Sequence, residues 1–372
     1  MDLSIQEKYA KEFPVRERLV YLNHAAVSPL CRRAAEAMKW LADDCLEYGS
    51  LHYDRWMAVY DGLRKATARL VNGRPEDVAI VKNTSEGIST VATGFDWRPG
   101  DKMVAFREEF PANYYPWKRL EDKGVHVEWL SCEDPLDRID EAARGARMLA
   151  ISYVQFLSGY RSPIEAIGEI CRRNRCFFLV DAIQGLGAYP LDVERCSIDA
   201  LAADGHKWLT GPEGCGILYI NQQLREHVEP VEFGWTNVAK YADYASRDMK
   251  LREDAGRYEC GTLNTIGCFG LQAAIEFLLE VGVGVITPVL DLLSDRIACG
   301  VQAKGYELLG ARQPGATSGI VSFRKEGVDA RQIVSDLKTK GILAAPRAGW
   351  VRTSPHFYVR PDEIDRMLEI LP

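Results

Sequence analysis

Residues 176–216 read CFFLVDAIQGLGAYPLDVERCSIDALAADGHKWLTGPEGCG. Two short apolar runs within them, 176–180 and 198–203, are nearly continuous and bounded by turn residues, the pattern of strands buried on both faces of a parallel sheet. Each run delivers polar residues at its end. The first leads into Asp181 and Gln184, the second into Asp204, His206 and Lys207. Ligands bind at the carboxyl edge of open α/β sheets, so the stretch predicts one polar site built from two strand ends.

Working outward, further strands are predicted at 78–81, 102–106, 125–130, 148–152 and 216–220, most of them separated by helical patterns at 89–95, 114–123 and 163–173. Seven strands so arranged predict an α/β fold with a large, mostly parallel, doubly wound sheet. The last strand is expected to be antiparallel, because only a short loop precedes it. Upstream, 19–22 leads into YLNHAAVSPL (21–30), where Ser28 and Pro29 predict a helix start, and a second amphipathic segment covers 53–71. Downstream, 235–258 is polar and loop-like. Helices follow at 264–281 and 287–304, then strand 320–323, helix 329–340, strands 342–344 and 351–353, and helix 361–371. This second part predicts a smaller α+β C-terminal domain. The division expected is 19–282 for the large domain, with 1–18 and 283–372 forming the small one.

A chain of 372 residues, 47% hydrophobic, can bury a substantial core. Its 46 basic and 53 acidic residues are interspersed and leave a net charge of -7, which argues against a nucleic-acid or anionic-membrane partner. The charged start MDLSIQEKYAKEF does not read as a secretory signal. No apolar run reaches the roughly 20 residues that span a bilayer. None of the ten cysteines forms a C-x-x-C pair, and most sit in apolar runs. Reduced thiols packed as small hydrophobes are expected, hence a cytoplasmic protein. The six histidines show no metal-ligand spacing, and no metal site is expected.

In VAIVKNTSEGIST (78–90) a strand end meets a helix start at Asn83, Thr84 and Ser85. Hydroxyls and free N–H groups at the positive end of a helix suit a phosphate; a plain N-cap would use the same residues. Lys207 lies in a glycine-flanked turn at a strand end. A buried lysine there serves as an amine nucleophile or forms a Schiff base, the plainer alternative being a simple anion binder. Asp181 is placed either to cap a helix or to hold a proton on a heterocyclic nitrogen. Aspartate against a pyridinium and lysine as imine is the pairing that lets pyridoxal 5'-phosphate act as an electron sink.

From YLNHAAVSPL to VRTSPHFYV, and above all in the VDAIQ, DGHKW and GPEGCG segments, the chain resembles the class V aminotransferases, fold-type I pyridoxal-phosphate enzymes. Among their branches it looks most like the isopenicillin N epimerase-like one, with cysteine desulfurases and selenocysteine lyases as cousins. The resemblance implies that Lys207 carries the cofactor as a Schiff base and that Asp181 pairs with its pyridine nitrogen. It implies Gln155 and Gln184 at the phenolic oxygen, and Thr84, Ser85 and His206 at the phosphate. Phe110, in REEFPANYYPW, takes the ring-stacking position. In RYECGTLNT, Gly261 and Thr262 match the segment that reaches the neighbouring subunit's phosphate, which implies a homodimer with shared active sites. Arg352, in VRTSPHFY, falls where the family binds the substrate carboxylate.

Two departures follow. Asp204 stands where cousins have serine, so its carboxylate is expected to point away from the phosphate or to pair with a cation. The loop KGILAAPRAGWVRTSP (340–355) has no cysteine where desulfurases carry the persulfide-forming residue. The expected function is therefore class V chemistry on a small amino acid, transamination or epimerisation first, with a C–S or C–Se lyase lacking the persulfide cysteine as the alternative. His24 and Tyr114 are candidates for the substrate pocket, with His24 as a proton donor opposite Lys207. A nicotinamide-dependent oxidoreductase is disfavoured, because no G-x-G-x-x-G joins a strand to a helix.

Overall fold

The computed structural model describes residues 4–372; the first three residues of the expected small-domain segment 1–18 lie outside these. Its main sheet contains β1 (Val78–Val81), β2 (Lys102–Phe106), β3 (His126–Leu130), β4 (Ala146–Ser152), β5 (Phe177–Asp181), β6 (Ala200–Asp204) and β7 (Gly216–Ile220) in the order β1-β7-β6-β5-β4-β2-β3. The pairs from β6 through to β3 are parallel, and β7 runs antiparallel to both its neighbours. All seven strands lie where the sequence predicts them, with ends shifted by at most two residues.

The apolar runs arise because both faces are covered. Ile80, Val104, Phe106, Leu149, Ile151, Phe178, Val180 and Leu201 feed one core, whereas Ala79, Met103, Ala105, Met148, Ala150, Leu179, Ala202 and Leu218 feed the other. Successive side chains alternate between two dry faces, so the strands carry no polar alternation. Helix Thr84–Gly94 lies against β6 and β7. A Cβ on Gly87 would come 3.0 Å from the Cβ of Ala202, so glycine permits the close approach that sets this helix start at the strand ends. On the opposite face, helices Arg32–Tyr48 and Tyr53–Val71 pack on Thr265–Val281.

The smaller sheet is antiparallel, in the order Ala345–Arg347, Trp350–Thr353, Val321–Arg324, Glu307–Leu308. Val20–Tyr21 pairs parallel with Ile342–Leu343, and Asn23 bridges to Ser354. No single helix among the described residues is long and apolar enough to cross a membrane, and these residues contain no cluster of metal-ligating side chains.

Two helix expectations are corrected. The helix expected from Pro29 begins at Arg32, with Cys31 at its N-cap. The Ser28 and Cys31 amides instead donate to the carbonyls of His206 and Thr210, 2.7 and 3.2 Å away. These long-range bonds keep the segment extended across the Lys207 turn, and local capping loses to them. The expected helix at 114–123 is one α turn, Tyr115–Lys118, continued as 3-10 helix over Arg119–Lys123.

Candidate active site

The carboxyl ends of β5 and β6, the start of helix Thr84–Gly94 and the hairpin Ala345–Thr353 enclose a cavity of about 320 Å³. Asn83, Thr84, Ser85, Phe110, Asp181, Gln184, Asp204, His206, Lys207, Arg347 and Arg352 line it. Most of the residues singled out in the sequence therefore converge on one space. Asp181 is the last residue of β5, and Asp204 the last of β6. The Lys207 turn closes through Gly205, whose amide donates to the Cys215 carbonyl, 3.0 Å away. A Cβ on Gly205 would sit 2.8 Å from Leu271 Cδ1 and 2.9 Å from that carbonyl oxygen, so only glycine fits this turn.

Burial sets the electrostatics. It pushes the Lys207 amine down to about 8, against the pull of Asp181 and with the help of Arg352. It raises the Asp181 carboxyl to about 6, opposed by the Ile183 amide, which donates at 3.1 Å, and by Lys207. Arg352 is 2% exposed, and burial together with Arg347 brings it down to about 10. Its Nη1 donates to the Phe156 carbonyl at 2.6 Å, while its buried Nε has no partner. Asp204 lines the cavity, and its Oδ2 lies 3.1 Å from His206 Nδ1. Phe110 is 46% exposed, and the Lys207 Nζ sits 5.7 Å from its ring centroid.

Several candidates are placed otherwise. His24 does not line the cavity. Its Nδ1 is 3.0 Å from the Ser354 carbonyl and its Nε2 is 2.7 Å from the Tyr358 hydroxyl. Burial, reinforced by His356, holds its pKa well below the usual histidine range. With both nitrogens engaged in a closed cluster, it is not placed to hand a proton into the cavity. Tyr114 also lies outside the lining, stacked on Trp129 at 4.3 Å. Gln155 is not in the lining; its amide donates to Glu109 at 3.1 Å, and its own buried carbonyl oxygen has no partner. Gln184 lines the cavity, but its amide donates to the Ala25 carbonyl at 2.9 Å and its oxygen accepts from the Trp208 indole at 3.0 Å. Gly261 and Thr262, expected to serve the neighbouring subunit and not this chain's own cavity, line a separate cavity of about 360 Å³ with Arg64, Trp235 and Arg252.

Two functional candidates escaped the sequence reading. Arg347 lines the cavity from the hairpin tip. Glu109 is buried beside Ser152, whose amide donates to it at 2.7 Å and whose hydroxyl also bonds it. Burial lifts its carboxyl to about 7, with Asp181 adding to the rise. Its neighbour Glu108 is exposed, so nothing in the pair of glutamates marked which one is buried. Arg347 had a signal, a second arginine five residues before Arg352, in a loop read only for its missing cysteine.

The fold and this lining define a fold-type I pyridoxal-phosphate enzyme. The chain belongs to the class V aminotransferase family, whose model matches residues 20–358. It is 30% identical to a probable cysteine desulfurase of Pyrococcus abyssi (strain GE5 / Orsay), over 99% of this chain and 97% of that protein. It is 28% identical to an uncharacterized aminotransferase of Bacillus subtilis (strain 168), over 98% of this chain and 97% of the relative. The apo structure of a cysteine desulfurase from Thermococcus onnurineus NA1 is similar, with a TM-score of 0.90, 26% identity and coverage of 98% of this chain and 96% of that one.

The residues present fit the cofactor. Thr84 Oγ1 is buried at the helix start without a hydrogen-bond partner, and a buried polar atom left bare in this way marks a place for a polar ligand. Beside it lie an amine that burial keeps easily deprotonated and a carboxylate on a neighbouring strand end.

Proposed function

We propose that this chain is a pyridoxal-phosphate lyase that cleaves the Cβ–S bond of a small sulfur-bearing amino acid without using an enzyme thiol. The carrying observation is the cavity itself, which joins Lys207, Asp181 and Arg352 and has no cysteine in its lining. The relative named as a probable cysteine desulfurase supports the substrate class. The cysteine-free hairpin supports a route without a persulfide on the protein.

Thr84, Ser85 and His206 would hold the cofactor's phosphate, Phe110 would cover its ring, and Asp181 would keep a proton on its pyridine nitrogen. When bound, the cofactor supplies an electron sink for the pair released at the substrate's Cα. Arg352 binds the α-carboxylate through its planar fork. Lys207 takes the Cα proton, a role suited to an amine near neutrality. The Cβ–S bond then breaks, with its electron pair leaving on sulfur. Overall, substrate and water give pyruvate, ammonia and a thiol. A homodimer is part of the proposal, with Gly261 and Thr262 serving the partner's phosphate.

The relative named an aminotransferase supports a second reading, transamination. Product analysis separates the two. The holoenzyme is given L-cystine, S-substituted cysteines and L-alanine, with and without a keto acid. Pyruvate from the sulfur substrates without any keto acid is the expected result. Keto-acid formation that requires an acceptor, or Cα exchange with solvent without pyruvate, overturns the lyase reading.

A further inference from the structure

We propose that Arg347 reads the substrate's side chain, and that the substrate class is an amino acid bearing a second acid group. This rests on Arg352 as the α-carboxylate partner.

The two arginines belong to one hairpin. Ala345 pairs with Arg352 and Arg347 with Trp350. Arg347 and Arg352 are thus diagonal neighbours on the same face, and such neighbours stand about 7–8 Å apart. The turn between the strands is Ala348 and Gly349, with φ of 48° and 83°. Two successive positive φ values match the tight type I′ turn that favours regular hairpins, so Arg347 sits at a defined position. The Arg324 guanidinium covers the Trp350 ring at 4.2 Å from its centroid and pins that strand to the sheet.

Two guanidiniums line the cavity, Arg352 buried and Arg347 exposed, and neither has a carboxylate partner among the described residues. The carboxylates in the lining are Asp181 and Asp204. Asp181 accepts from the Ile183 amide and acts on Lys207, and Asp204 faces His206. The guanidiniums bond only to carbonyls, Arg352 to Phe156 at 2.6 Å and Arg347 to Pro346 at 3.1 Å. Arg347 raises the electrostatic cost of the charge on both Arg352 and Lys207. The cofactor's phosphate has its own cradle at the helix start of residues 83–85, and one α-carboxylate satisfies only Arg352. A second acid group on the side chain would neutralise Arg347 with a charge-assisted, forked contact. A carboxylate on the sulfur substituent, as in the distal half of a disulfide-linked amino acid, has that chemistry.

The test uses unreactive acids on the holoenzyme, read by titration calorimetry: succinate with two carboxylates, butyrate with one. Succinate is expected to bind about tenfold or more tightly than butyrate, the scale of one charged hydrogen-bonded contact. Arg347→Gln should remove most of that preference and Arg347→Lys should retain part of it. No preference for succinate, or a preference that survives Arg347→Gln, overturns the inference while leaving the lyase reading intact. If neither Arg352→Gln nor Arg352→Lys weakens either acid, the assignment of the α-carboxylate to Arg352 fails, and the inference fails with it.

Discussion

Asp181 and Lys207 stand at the ends of strands packed on both faces, whereas Arg347 and Arg352 come from a short hairpin whose tip is exposed. The first region is dry, and its residues are tuned by burial: an amine pushed down to about 8 and a carboxyl raised to about 6. The second holds its charges by sheet register, with one arginine buried and one open. On the proposed reading, the bond-breaking chemistry would reside where the backbone has least freedom, and recognition of a particular side chain on a hairpin that can change without disturbing the sheet.

Removing the amine tests the dry region most severely. Lys207→Ala should abolish the borohydride-reducible cofactor linkage and lower turnover by roughly 10⁴-fold or more, the upper range for a general base. A variant that keeps both would break the contrast outright.

Glu109 tests the cost of that dryness. Burial raises its carboxyl from about 4.5 to about 7, despite the hydrogen bond from the Ser152 hydroxyl. The folded protein therefore holds a proton that the unfolded chain releases in this window. Stability from Glu109 is full below pH 4.5 and is lost as pH rises through 7, by on the order of 3 kcal/mol. Urea titrations should show Glu109→Gln gaining on the wild type by about that amount between pH 5 and 8. A pH-independent difference would remove the case for a carboxyl destabilised by burial.

On the hairpin, Arg352→Lys keeps the charge and loses the fork. It should lower kcat/KM by roughly ten- to a hundredfold, mostly through KM, with the cofactor spectrum unchanged. A spectral change would mean that the hairpin shapes the cofactor site as well as the substrate.

What could be read from the chain follows the same division. The seven strands, and the convergence of Asp181 and Lys207 on one cavity, were legible because doubly buried strands write continuous apolar runs, and because polar residues directly after them have few structural uses. The antiparallel β7 was legible from the short loop before it. His24 and Tyr114 fall outside the cavity because remote partners hold them. The Ser354 carbonyl and Tyr358 hydroxyl that occupy His24 lie more than 300 residues away, and no local pattern reports them. The helix expected at Pro29 failed for the same reason: the carbonyls of His206 and Thr210, far along the chain, hold that segment extended. Arg347 was overlooked because exposed arginines in turns are common, and only the register with Arg352 gives this one a direction.

The central claim is carbon–sulfur cleavage at the sheet edge with no thiol from the protein. Its most direct test is the intact mass of the holoenzyme, quenched during turnover of a sulfur amino acid under non-reducing conditions. The account predicts no sulfur added to any of the ten cysteines; a transient gain of one sulfur atom, mapped to any cysteine, would contradict it.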